Sequence, residues 1–397
     1  MLAGTVRELV NARLVAMKPR LLILCFSPLR RDPRVLRQLA LLSDSYEIST
    51  CGFGPAPDGV QEHYEIAEDS IGWWPSEVRM AGALLLGRRF EAFYRNEPRV
   101  RAALNLVPKG TFDVIIANDL NTVPLAALLE PVKGFHADLH EWEPRLPGRG
   151  FNWTLMGLPY LRWQLRQVHG AKSVSTVCQG IADRYRSDYG IEASVVMNAS
   201  EYADLQPSAV RTPLRLVHSG GANPARRIDL MIDAMRGLEN ATLDLMLMPT
   251  GEGTVESLKA HAEGIENVRF RDPVPFKDLV STLSEYDAGI FLLPPTNFNY
   301  EMALPNKLFE YVQARLAVVI GPSPEMARVV REHNLGVVSD DFTSESLRAA
   351  IRSLSAADVD RFKANSHAAA HSLSADQAIR PWADAVNSIL NLEGQRV

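Results

Sequence analysis

Short apolar runs alternating with helical patterns constrain this chain more than any other feature. In the first half the runs are 21–26, 46–51, 113–117, 134–140, 173–178 and 193–198; in the second they are 214–219, 242–248, 267–270, 287–293, 317–321 and 335–338. Runs this short and this apolar, each separated from the next by a helical pattern, predict parallel strands buried on both faces. The same rhythm appears twice. The 397 residues exceed what one ordinary core organises. The fold class expected is therefore α/β, with two doubly wound domains joined near 198–213, a polar stretch with two prolines and no clear period. The expected division is 1–200, 201–375, and a last helix over 376–397 that packs back on the first domain. In such sheets ligands bind at the carboxyl ends of the strands where the strand order reverses, so the cleft between two such domains is the natural site.

Composition removes several classes of function. The net charge of −5 argues against nucleic acid as a partner. Cys25, Cys51 and Cys178 have no metal-ligand spacing, and each lies in or at the end of an apolar run, which predicts buried thiols in a reducing, cytoplasmic setting. No apolar run reaches the length of a membrane-spanning helix, and the first 20 residues lack the apolar core of a signal peptide.

The stretch "ALPNKLFEYVQARLAVVI" (303–320) carries the most specific chemistry. Pro305 delays the helix, and Asn306 is expected to cap it with Lys307 as its first residue. Helix N-termini attract anions, and Lys307 adds a full charge. Glu310, about one turn in, could accept two adjacent hydroxyls as ribose-binding carboxylates do. Phosphate and ribose together imply a nucleotide. The plainer reading is a capped helix with an acid favoured by the helix dipole.

This stretch resembles the second-domain signature of retaining glycosyltransferases of the GT-B fold, family 4. The likeness extends in order over 30–52, 112–129, 137–144, 175–201 and 216–235. It implies two Rossmann-like domains facing a central cleft, the second holding a nucleotide-sugar. Glu310 would hold the ribose, with Asn306, Lys307 and Leu308 around the helix start. Gly220 and Gly221 would let the backbone approach the ligand, and Arg226 would bind the diphosphate, whose charge grows as it leaves. The family often has a lysine about five residues after that arginine; Leu230 or Met231 stands there, and Arg227 or Lys307 would substitute. The loop of Val274 and Pro275 would lie against the base. The family's second glutamate, eight positions before Glu310, is replaced by Met302, with Glu301 one residue away.

In the first domain, His140 and Glu141 end a strand. His140 would donate a hydrogen bond to a sugar hydroxyl or stabilise charge on the reacting sugar, and Glu141 would orient it or touch the acceptor. Arg30 and Arg31, with Arg34, are candidate acceptor contacts, as is Asp119 beside Asn118. Asp32 before Pro33 reads more plainly as a helix cap. Two basic, aromatic stretches, 73–95 and 151–170, suit either a surface meeting a membrane or lipid-linked acceptor, or core helices; the second is better read as core.

The activity expected is transfer of a sugar from a nucleotide-diphosphate sugar to a hydroxyl of a glycan or lipid-linked acceptor, with retention. No cofactor or metal is expected. The expected location is cytoplasmic, with contact at the inner face of the cell membrane as an open alternative. The rivals are a nucleotide-sugar 2-epimerase or hydrolase of the same fold, and an inactive nucleotide-sugar-binding protein, to which Met302 gives some room.

Overall fold

A computed structural model of the chain describes residues 18–67, 90–144 and 157–391. The described residues fall into two compact units. The first runs to Ser175 and adds Tyr189–Ser194 and the chain from Pro381; the second is Thr176–Asp188 with Val195–Arg380.

The first sheet contains β1 (Arg20–Pro28), β2 (Glu47–Phe53), β3 (Glu62–Ile66), β4 (Val114–Asn118), β5 (Gly134–Leu139), β6 (Ser173–Thr176) and β7 (Ser194–Val195). Its order is β3-β2-β1-β4-β5-β6-β7, and the pairs from β3 across to β5 are parallel. The chain builds outward from β1 to β3, then returns to the other side of β1 at β4. That reversal places the ends of β1 and β4 side by side, where loops leave in opposite directions. Leu21, Leu22 and Ile23 are fully buried, as a strand covered by helices on both faces requires.

The sequence reading missed β3. Its residues are polar, Glu62, His63 and Glu65 among them, and only Tyr64 and Ile66 turn inward. An edge strand has one strand neighbour, so alternation replaces the continuous apolar run that marks an interior strand.

The second sheet contains β8 (Leu214–Gly221), β9 (Ala241–Met248), β10 (Val268–Arg271), β11 (Ala288–Phe291), β12 (Ala317–Ile320) and β13 (Gly336–Val338). The order β10-β9-β8-β11-β12-β13 is parallel throughout, with its reversal between β8 and β11. Leu216, Leu243, Leu245, Ile290 and Val319 share one core with Ile228, Met231 and Ile232 of the helix Ile228–Ala234. The segment 198–213 carries no helix or strand.

The helix Arg380–Asn391 completes the first unit's core. Val386 and Ile389 join Leu21, Ile23, Val35 and Leu39, and Trp382 is fully buried with the Arg34 guanidinium 4.7 Å from its ring centre. All three cysteines are free and buried. Aromatic side chains from the two basic stretches also pack inward: Phe93 meets Tyr160 edge-on at 5.2 Å and Tyr94 lies 5.6 Å from Trp163. The described parts of both stretches thus turn an aromatic face to the core, while Glu91, Arg162 and Arg166 are exposed. Residues 73–89, with Arg88 and Arg89, and 151–156 lie outside the described residues. No helix among the described residues is long and apolar enough to cross a membrane.

Replacing a buried tryptophan by alanine removes about 3–5 kcal/mol. Trp382→Ala should therefore lower the melting temperature well beyond Leu106→Ala, an exposed position. Equal melting curves for the two variants would show that the terminal helix is not integral to the first unit.

Candidate functional site

Two groups of polar side chains collect at strand ends, one in each unit. In the second unit, Gly220, the last residue but one of β8, has φ +137°, a backbone conformation that favours glycine. A Cβ there would lie 2.1 Å from Lys307 Nζ and 3.6 Å from an Arg226 guanidinium nitrogen. The missing side chain is what admits Lys307, with Arg226 at ordinary contact distance from the same spot. Gly221 is tight for another reason: its Cβ would come within 2.8 Å of the Thr250 methyl. Asn223 accepts a hydrogen bond from the Ala225 amide at 2.9 Å and caps the short turn Pro224–Arg226, which aims Arg226 back toward Gly220.

The helix Asn306–Gln313 begins one residue earlier than expected. Asn306 is its first residue, and Pro305 takes the capping position with no side-chain cap. Leu308 is core. Lys307 and Glu310 sit in the first turns, where helix amides lack intrahelical partners. Glu310 is 6% exposed. Burial pushes its carboxyl up, opposed by Lys307. Burial also lowers the Lys307 ammonium to about 8, with Glu310 resisting and Arg226 adding to the fall. Each group is desolvated while lying within reach of an opposite charge, the usual signature of a binding site kept ready for a charged ligand.

Beneath them lies a residue the sequence reading passed over. His218 is fully buried and stacked on Phe291 at 5.5 Å; it bonds the Ile290 carbonyl through Nδ1, while Nε2 has no partner among the described residues. Burial, reinforced by Lys307 and Arg226, lowers it to about 3, so it is neutral. A histidine late in an apolar strand, one residue before Gly-Gly, was the available signal.

The remaining candidates in this unit have other partners or surroundings. Arg227, left-handed at φ 51°, is exposed and paired with Asp229 at 2.8 Å; it lines a cavity of ≈ 460 Å³ with Asn223, Asp229, Glu252 and His261. Of the two proposed substitutes for the family lysine, Lys307 is the one at Gly220. Val274 is half-buried and Pro275 exposed in the loop after β10, before the helix Phe276–Leu283. Met302 packs on Gly180, where an added Cβ would lie 2.5 Å from its sulfur, and Glu301 is exposed.

In the first unit, Arg34 and Asp138 form a buried two-point ion pair, Nε to Oδ2 at 2.6 Å and Nη2 to Oδ1 at 2.7 Å. Burial alone would raise the Asp138 carboxyl, but Arg34 and His140 outweigh it and hold it well below the usual range. His140 follows β5. Its Nε2 lies 3.2 Å from Asp138 Oδ2 and 3.3 Å from Asn118 Oδ1, and its Nδ1 lies 3.1 Å from Asp119 Oδ1. Both ring nitrogens are therefore engaged inside the protein. A sugar hydroxyl would have to displace an internal acceptor. Asp119, Asp138 and Asn118 hold His140 at those distances, and Glu141 beside it is exposed. Asp138 was missed, although Asp-x-His on one strand face was readable.

Asp32 caps the helix Pro33–Leu42 through the Arg34 and Val35 amides, the plainer of its two readings. Arg34 is buried under Trp382 and is no open acceptor contact. Arg30 pairs with Asp58 at 3.3 Å on the surface, and Arg31 is exposed. Asp119 is half-buried, and its backbone has φ 67°. Among the described residues, no group of three or more His, Cys, Asp or Glu side chains is arranged to hold a metal ion.

Residues 213–357 match the family model for Glycosyl transferases group 1. That span contains Gly220, Arg226, Lys307 and Glu310, and gives the chain a glycosyltransferase domain. The comparison with curated proteins found no match. Among solved structures, the chain is similar to HepE of Anabaena in complex with UDP-glucose, at 14% identity and a TM-score of 0.66 over 93% of this chain and 99% of that one. It is similar to alpha,alpha-trehalose 6-phosphate synthase of Burkholderia multivorans at 12% identity and 0.66, over 95% and 100%. Sucrose-phosphate synthase of Thermosynechococcus elongatus matches at 10% identity and 0.65, over 94% and 100%. At these identities the likeness establishes the fold, which is the two-domain GT-B architecture.

Lys307, at about 8 when free, should be drawn back to its charged form by an arriving diphosphate. Binding of UDP near pH 8 should then take up protons, seen calorimetrically as a heat that varies with buffer ionisation enthalpy. Lys307→Met should abolish that dependence. A buffer-independent heat in the wild type would remove Lys307 from the anion site.

Proposed function

We propose that this chain is a retaining glycosyltransferase that moves a sugar from a nucleotide-diphosphate sugar to a hydroxyl of a glycan or lipid-linked acceptor. The observation that carries the reading is the approach of Lys307 Nζ and Arg226 to the bare backbone of Gly220, with Glu310 buried one turn into the same helix. Two cations over a glycine suit a diphosphate, and a carboxylate beside them suits the ribose. The match of this domain to Glycosyl transferases group 1 supports the reading, and the neighbour that holds UDP-glucose favours uridine as the first base to try.

In this reading the bond between the sugar's anomeric carbon and the diphosphate oxygen breaks as the acceptor hydroxyl attacks from the same face, and the hydroxyl's proton passes to the departing diphosphate oxygen. Lys307, Arg226 and the helix amides stabilise the charge left on the diphosphate. The second unit holds the donor and the first serves the acceptor. Because side chains and amides carry the charge, turnover should survive chelation. Activity lost in EDTA and restored by Mg²⁺ or Mn²⁺ would refute that assignment of the leaving group.

Met302, a thioether where the family has a carboxylate, favours a second reading: a protein that binds the nucleotide-sugar without transferring it. Release of nucleoside diphosphate with a glycosylated acceptor selects transfer. Free sugar without acceptor selects hydrolysis, and no turnover of any donor selects binding alone.

Glu310→Gln keeps the shape and removes the charge. A hydrogen bond to a charged group contributes roughly 1.5–3 kcal/mol, so nucleotide affinity should fall roughly ten- to a hundredfold with little change in melting. Calorimetric titration with UDP, GDP and ADP measures it. A folded variant that binds the best nucleotide as tightly as wild type would leave Glu310 a dipole-favoured helix residue.

A further inference from the structure

The first unit's cluster has a property that the transfer reading does not require. Three acceptors face the two nitrogens of His140. Asp138 Oδ2 and Asn118 Oδ1 lie on Nε2, and Asp119 Oδ1 lies on Nδ1. An ionised carboxylate only accepts hydrogen bonds. The Asn118 amide is fixed in the same sense, because its Nδ2 donates to the Leu24 carbonyl at 3.3 Å and to Gln38 Oε1 at 3.0 Å, leaving Oδ1 toward the imidazole. A neutral imidazole would set one lone pair against a carboxylate. Turning the ring over would set carbons against all three acceptors.

The two carboxylates differ in what else they hold. Asp138 is fully buried and committed to Arg34 at two points, to Gln38 at 3.2 Å and to Ser175. Among the described residues, Asp119 is ion-paired with His140 and with no second cation, Arg34 acting on it only at longer range. Its side chain reaches His140 from a backbone at φ 67° and ψ 153°, a conformation that L-residues rarely adopt. The Asp119 amide donating to the Asp138 carbonyl at 2.8 Å and the Thr122 hydroxyl donating to the Asp119 carbonyl at 3.0 Å hold it there.

We propose that Asp119 is a charge-setting, positioning residue that keeps His140 doubly protonated, making it a fixed cation at the end of β5 rather than a proton acceptor. The electrostatic balance agrees. Burial would discharge the ring, but Asp119 and then Asp138 outweigh it against the opposing charge of Arg34, and His140 stays above the ordinary histidine range. Among the described residues, the other ionisable groups here are Asp32 and Cys25, both coupled to Asp119, and the neighbouring Glu141; burial, with Asp138 and Asp32, raises the Asp119 carboxyl itself, and His140 and Arg34 oppose that rise. The cation persists below the raised value and is lost as pH climbs through it. On the transfer reading, His140 then offers positive charge and takes no proton from an acceptor hydroxyl. That consequence rests on the proposed function; the protonation state does not.

The test needs no substrate. The full chain is labelled with ¹⁵N-histidine, and His140 is assigned among the nine histidines by its loss in His140→Asn. The wild-type ring should show two protonated nitrogens at pH 7. Asp119→Asn, which keeps the shape and removes the charge, should move the titration of His140 to lower pH. Asp119→Gly relieves the backbone and should melt no lower than Asp119→Asn while showing the same titration shift. A single-proton tautomer in the wild type at pH 7 overturns the proposal, as does an Asp119→Asn titration that matches wild type. If Asp119→Asn does not fold, the wild-type spectrum and Asp119→Gly decide the matter. Loss of donor turnover with an unshifted imidazole, or the reverse, separates this inference from the transferase reading.

Discussion

Much of the second unit depends on a side chain that is not there. At Gly289 an added Cβ would sit 2.3 Å from the Tyr311 ring. With hydrogen instead, the ring lies directly on β11, and the Tyr311 hydroxyl donates to the Ile290 carbonyl at 3.1 Å. Tyr311 is one residue beyond Glu310, so seating its ring fixes the height and rotation of the first helical turns. Lys307 and Glu310 take their positions from that contact. Close packing transmits such constraints because interiors have little free volume to absorb a shift. The same Ile290 carbonyl also accepts from His218, so one backbone oxygen anchors the helix and the strand end below the cations.

The first unit holds its polar groups by charge instead of by close approach. Arg34 and Asp138 are both nearly dry, and desolvating such a pair costs several kcal/mol per ion before attraction returns it. The return is complete only when every remaining lone pair and proton is used. Gln38, Asn118 and Ser175 do this for Asp138 and its neighbours, and His136, lowered to about 4 by burial, bridges Ser173 and Ser175 as a neutral ring. A buried network of this kind stabilises little on balance. What it specifies is orientation.

Most of the fold was legible because interior strands of parallel sheets leave continuous apolar runs, and Leu21–Leu24 or Ala317–Ile320 can hardly be read otherwise. β3 was illegible for the opposite reason: an edge strand shows polar residues to solvent. Around Gly220 and Lys307 the sequence pointed to one place, since paired glycines closing a strand and a lysine in a first helical turn each have a local physical cause. What eluded it was choice between neighbours. Arg226 and Arg227 look alike in sequence, and only the left-handed turn at Arg227 sends its guanidinium to Asp229. Asp138 and His218 look like interruptions of apolar strands, and their partners come from residues 104 and 72 positions away. Long-range partners leave no local periodicity.

The terminal helix under Arg34 has a consequence for biosynthesis. β1 and the helix that carries Arg34 emerge from the ribosome early, but Trp382, Val386 and Ile389 follow only after all of the second unit has been made. The second unit's sheet needs nothing later than its own residues. The first must wait with part of its core uncovered, because its closing contact spans more than 340 positions, as between Tyr46 and Asn387. Contacts of such separation are slow to form, since chain entropy is lost before they return anything. The order of completion is then the reverse of the order of translation.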